Sequence, residues 1–118
     1  MLIPTKPSPF ALMGLTDLMD TVEKSRRRIN PKLRILGIVL SLVEGRTTVL
    51  SNDLQEMIRE QYRGKVFETE LVKGVKFEES LMYNKSIIEY DPRTKGAEIF
   101  HQFTDELLIR LNGNKEEA

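Results

Sequence analysis

Cations set in loops are the residues through which this sequence could do chemistry. Arg46 stands in Glu44-Gly45-Arg46-Thr47-Thr48, the polar stretch after the most apolar run of the chain, and Lys73 and Lys76 stand in the basic stretch from Leu71 to Lys85. A polar loop at the carboxyl end of a strand is where open α/β sheets place their ligand sites, and loops carried on a rigid scaffold are where functional contacts concentrate. For a loop arginine or lysine the chemistry would be contact with phosphate oxygens, although by residue type alone a solvated loop cation is the plainer reading of all three. Arg26, Arg27 and Arg28 form another basic run, whose plainer reading is a solvated helix end and whose alternative is phosphate contact.

Other chemistries fail on spacing. A phosphate-cradling Gly-x-x-x-x-Gly-Lys-Ser/Thr loop needs a second glycine and a hydroxyl for magnesium, whereas Gly64-Lys65 is followed by Val66 and preceded at the required distance by Arg59. His101, the single histidine, follows Phe100 on a helical stripe and is a surface or boundary residue before it is a catalyst. Glu78 and Glu79 are adjacent in sequence, so they diverge and do not make an acid/base pair. The chain has no cysteine, which excludes disulfides, thiolate metal sites and a cysteine nucleophile and fits a reducing, cytoplasmic setting.

The elements that must position these residues follow from periodicity. Leu2 and Ile3 before Pro4 read as the tail of a strand whose beginning is missing, and Pro4, Pro7 and Pro9 enforce an extended connection. Leu12, Leu15, Leu18, Met19 and Val22 recur at helical spacing, which predicts a helix from Ala11 to about Arg28, stopped by Asn30-Pro31. Leu33 to Val43 has no two-residue alternation and predicts a central strand buried on both faces. A second helix is expected over Ser51 to Tyr62, ended by Gly64, then a strand over Val66 to Leu71. Val72 to Lys85 is expected as a loop with one short helical turn, Ile87 to Tyr90 as a short extended segment, and Asp91-Pro92 as a turn. Thr94 then caps a helix with the stripe Ala97, Phe100, Phe103, Leu107, Leu108 and Leu111, closed by Asn112-Gly113 and followed by a frayed, disordered tail over 114–118.

Strand, helix, strand, helix, strand is the order of a parallel sheet with right-handed crossovers, so the expected fold class is α/β. At 118 residues the chain is expected to be a single domain. Eighteen basic residues balance 18 acidic ones, so any nucleic-acid contact must come from a local patch rather than a global field. No stretch approaches the roughly 20 apolar residues of a membrane span, so no membrane association is expected.

In order, the pieces IPTKPSPFALMGL, RRRINPKLRILGIVLSLVEGRTT and KVFETELVKGVKFEESLMYNKSIIEYDPRTKGAE, with the closing amphipathic helix, resemble the C-terminal half of the ParA (Soj) partition ATPases. The resemblance covers almost the whole chain and implies part of a parallel-sheet, P-loop NTPase-like (Rossmann-like) layered fold with a C-terminal amphipathic helix. Proteins of that family bind ATP and Mg through a P-loop half that this sequence lacks, so the chain alone is expected to hold no cofactor and to lack ATPase activity. The family forms an ATP-driven homodimer on non-specific DNA in the nucleoid and is stimulated by a ParB-like centromere-binding protein. The resemblance carries DNA contact onto Arg46, onto Lys76 where the family usually has arginine, and onto Lys73. It carries the base-side edge of the ATP pocket onto Val72 and Gly74, where the family usually has proline and asparagine. Glu78-Glu79-Ser80-Leu81 stands where Ser-Glu-Ala-Pro is usual, adding a negative charge beside the proposed patch. A stand-alone module that binds a full-length partition ATPase or its DNA-binding partner is the alternative.

Overall fold

A computed structural model of the chain describes residues 1–43, 49–72 and 75–117. The apolar run supplies the centre of the sheet, as its sequence requires. Strand β1 (Leu2–Thr5) pairs parallel with β2 (Gly37–Val43), which pairs parallel on its other side with the short β3 (Leu71–Val72), in the order β1-β2-β3. Ile38, Val39 and Leu40 are all buried, so β2 is covered on both faces, which explains why its sequence does not alternate. It is shorter than the apolar run because the Leu33 carbonyl is taken by the Arg26 guanidinium at 2.9 Å and strand pairing begins only at Gly37.

Helices cover the two faces. On one face Ile38 and Leu40 meet Leu15 of α1 (Pro9–Arg28) and Ile58 of α2 (Val49–Gln61), with Ile3 and Val66 completing the cluster. Helix α1 starts slightly earlier than its apolar stripe predicts because the Ser8 hydroxyl accepts from the Ala11 amide and Pro9 fills the first position, where no donor is needed. Gly64, at φ 82°, follows α2 and turns the chain. On the opposite face lies α5 (Lys95–Glu117), capped as expected by Thr94, whose hydroxyl accepts from the Ala97 amide. This helix continues through Asn112-Gly113, where the sequence predicts its end, and reaches Glu117.

Three further expectations are corrected. The strand expected over Val66 to Leu71 is interrupted: Val66 bridges Ile38, and pairing resumes only at Leu71–Val72, because side chains of α2 and α5 capture the intervening backbone. Within the expected loop, Val75–Met82 forms the two-turn helix α3, anchored by Phe77 stacked on Phe100 at 5.8 Å and by the buried Ser80; Asn84, at φ 56°, ends it. Ile87–Tyr90 is not extended but is the short helix α4, because Ser86 caps it by accepting from the Glu89 amide at 3.1 Å. The Asp91-Pro92 turn is present, with the Asp91 side chain accepting from the Arg93 amide.

Candidate nucleic-acid interface

The three parallel strands end on one side of the sheet. Val43 is paired with Val72, so β2 and β3 stop together at this carboxyl edge. Val72 is partly exposed there. Lys76 lies in the first turn of α3 just beyond it and is exposed to solvent. Arg46, Lys73 and Gly74, the remaining residues singled out by the sequence, lie outside the described residues. Lys6, which follows β1 at the same edge and is exposed, was missed in the sequence, and its only signal is its place after a parallel strand.

Lys76 is not an isolated charge. Its Nζ lies 3.5 Å from Glu79 Oε2, one turn along α3, and the same oxygen accepts from the Tyr90 hydroxyl at 2.9 Å. Tyr83 stacks on Tyr90 with centroids 5.5 Å apart. The hydrogen bond to Glu79, with burial and the carboxylate charge behind it, raises the Tyr90 phenol above its ordinary value. The ion pair is exposed and therefore weak, so Lys76 can exchange Glu79 for another anion at little cost. Arg26 and Arg27 are both paired with Glu23, at 3.1 and 3.4 Å, and Arg26, which also holds the Leu33 carbonyl, has a structural role. His101 is exposed, and among the described residues no group of acidic or histidine side chains has metal-site geometry.

The segment leading into this edge is held by side chains rather than by the sheet. Phe67 is fully buried, with its ring 5.2 Å from Phe103 and the Arg110 guanidinium 4.1 Å above it. Arg110 donates to the carbonyls of Val66, Lys65 and Leu36 at 2.9, 3.1 and 3.3 Å. Glu106 accepts from the Glu68 and Thr69 amides at 2.8 and 2.9 Å. Burial alone would raise the Glu106 carboxyl, but the bonds from Thr69 and Glu68, together with Arg110, outweigh it and hold the group below the usual carboxylate range. Its stabilisation is therefore fully present above the unfolded carboxylate value and is lost as pH falls through the lower folded one, so these contacts are intact at neutral pH. Beside them opens a cleft lined by Glu68, Thr69, Gln102, Asp105, Glu106 and Ile109.

No established family profile matches the chain. Individual relatives match nearly all of it. The chain is 30% identical over 109 residues to the chromosome-partitioning ATPase Soj of Thermus thermophilus, covering 92% of the chain and 43% of that protein. It is 33% identical over 111 residues to the sporulation initiation inhibitor protein Soj of Bacillus subtilis, covering 94% and 43%. It is 29% identical over 116 residues to the chromosome partitioning protein ParA of Caulobacter vibrioides, covering 98% and 43%. The chain belongs to the ParA (Soj) family. It spans less than half the length of these relatives, consistent with the C-terminal part of a ParA-family protein. The three-stranded parallel sheet with its C-terminal helix is likewise consistent with a P-loop NTPase-like fold. No described helix of this ParA-family chain is long and apolar enough to cross a membrane.

Proposed function

We infer that this chain forms the C-terminal part of a partition ATPase of chromosomes or plasmids and contributes a sequence-independent DNA-contacting surface at the carboxyl edge of the sheet. Arg46, Lys73 and Lys76 supply its cations, and Val72 and Gly74 form the base-side edge of an ATP pocket whose phosphate and Mg sites belong to the P-loop half of the intact family protein. That protein would work in the cytoplasm as an ATP-dependent homodimer on the nucleoid, answering to a ParB-like centromere-binding protein. The observation that carries the reading is the pairing of Val43 with Val72. Two parallel strands stop side by side, and in the sequence Arg46 comes shortly after the first stop and Lys73 directly after the second. Phosphate contacts of this kind add affinity without reading bases.

The test is duplex binding followed by fluorescence anisotropy over a salt series, on DNAs of unrelated sequence. Arg46→Ala and Lys76→Ala should each weaken binding to all of them and lower the log–log salt slope by about one. No binding by the wild type at low salt, or slopes unmoved by either substitution, would rule the surface out. Glu79→Gln should act in the opposite direction. It releases Lys76 from an exposed ion pair worth about 0.2–1 kcal/mol, so binding should tighten about 1.4- to fivefold. The Tyr90 phenol, having lost its carboxylate acceptor, should titrate at lower pH in the same variant. Unchanged affinity despite that shift would mean that Glu79 does not restrain Lys76.

A further inference from the structure

The strand beside β2 takes a longer path than β2 does. While β2 advances from Ile38 to Ser41, its neighbour advances from Val66 to Leu71, so the residues between leave the ladder. Backbone groups that leave a ladder must find other partners. Here one carboxylate meets several of them. Glu106 Oε2 accepts from the Glu68 amide at 2.8 Å, and Oε1 accepts from the Thr69 amide at 2.9 Å and the Thr69 hydroxyl at 2.8 Å. Arg110 Nη2 stands 3.5 Å from Glu106 Oε2 while it holds the Val66 carbonyl. From the other side, Arg59 of α2 donates to the Phe67 carbonyl at 3.0 Å and to Glu70 at 2.9 Å. The detour is thus fixed from both covering helices.

We propose that Glu106 is a positioning residue for the carboxyl edge: its carboxylate sets the path by which the strand returns to β2 at Leu71–Val72 and hence where α3 carries Lys76. The effect on DNA rests on the reading given under Proposed function; the effect on the strand does not. A carboxylate suits the task because each of its two oxygens meets donors. The glutamine amide has one acceptor oxygen, and its amino group would face a backbone N–H, a donor against a donor. Two neighbouring side chains make the comparison clean. Asp105 is the exposed neighbour on α5, so Asp105→Asn changes the net charge as Glu106→Gln does without touching the detour. Thr69 contributes its hydroxyl as well as its amide, so Thr69→Val removes one donor and Thr69→Ser restores it.

The experiment reads amide exchange by NMR and duplex binding over a salt series on the full chain. In Glu106→Gln, exchange should accelerate at Glu68 and Thr69 and also at Leu71, Val72 and the first turn of α3. DNA affinity should fall about three- to tenfold, and the salt slope should fall by no more than the about one that Lys76→Ala removes, since the contact displaced is that of Lys76. The fall runs against the gain of one positive charge, which in Asp105→Asn leaves affinity equal or slightly higher. Thr69→Val should show a smaller version of both effects and Thr69→Ser the wild-type values. Faster exchange confined to Glu68 and Thr69, or a Glu106→Gln affinity that follows Asp105→Asn, overturns the proposal. If the wild type binds no DNA, the functional reading fails and the exchange pattern decides the positioning role: spread to Leu71 and α3 supports it, confinement overturns it. If Glu106→Gln proves unfolded, the same exchange criterion applied to Thr69→Val against Thr69→Ser decides.

Discussion

Phe67→Ala is expected to cost about 3–5 kcal/mol, a fifth or more of the roughly 5–15 kcal/mol that hold a domain of this kind together. The side chain is fully buried, and its ring joins α5 to β2: it leans on Phe103 and lies under the Arg110 guanidinium, both of α5, and packs against Gly37 of β2. Removing it leaves a cavity that the neighbours cannot close, because the Phe67 backbone is itself fixed by Ile38 at 2.7 Å and by Arg59 at 3.0 Å. It also strips Arg110 of a cation–π contact worth about 0.5–2 kcal/mol. Urea unfolding followed by circular dichroism gives the number, and exchange at the α5 amides shows whether the helix loosens with it. A loss below about 1.5 kcal/mol would mean that α5 is not held to the sheet through this ring.

How much of this was legible in the sequence depends on which groups satisfied each stretch of backbone. Helix α1 and strand β2 announce themselves because their backbone bonds are internal to the helix or ladder, and their side chains record burial directly: Leu15 and Val22 are buried on one stripe, and Ile38, Val39 and Leu40 are buried without alternation. Val66 to Leu71 misleads because only its two ends pair with β2, while the backbone between them is bonded to Glu106 and Arg59, remote in sequence and ordinary in type. Ile87 to Tyr90 misleads for the opposite reason. Two isoleucines favour a strand, yet Ser86-Ile87-Ile88-Glu89 is a capping-box pattern, and its serine accepts from the Glu89 amide. The cap outweighs the strand preference of the two isoleucines. At the candidate interface the sequence marked the cations and the acidic Glu78-Glu79 beside them, but not the pairing of Glu79 with Lys76 and Tyr90, nor the clamp on the strand behind it. Pairings between helix and strand side chains leave no periodic trace.

Gly37→Ala tests the same junction from the strand side. Gly37 does not have a positive φ, so what the position demands is space rather than a special backbone conformation. A methyl group there would run into the Phe67 ring and come within 2.7 Å of Arg110 Nη1. Neither neighbour can yield cheaply, since Phe67 is fully buried and Arg110 is bonded to three carbonyls. Overpacking of this kind costs about 1–3 kcal/mol, and two immobile neighbours put Gly37→Ala at the upper end. The cause can be separated from a general intolerance of β2 by a double-mutant cycle with Phe67→Ala. Once the ring is gone only Arg110 Nη1 still crowds the methyl group, so Gly37→Ala should cost about 1–2 kcal/mol less in that background, which is the coupling the cycle reads. Equal costs in both backgrounds would show that the contact with Phe67 is not what reserves the position for glycine. A coupling of the expected size would establish that β2, the interrupted strand and α5 meet at one closely packed point, the point from which the detour toward Val72 begins.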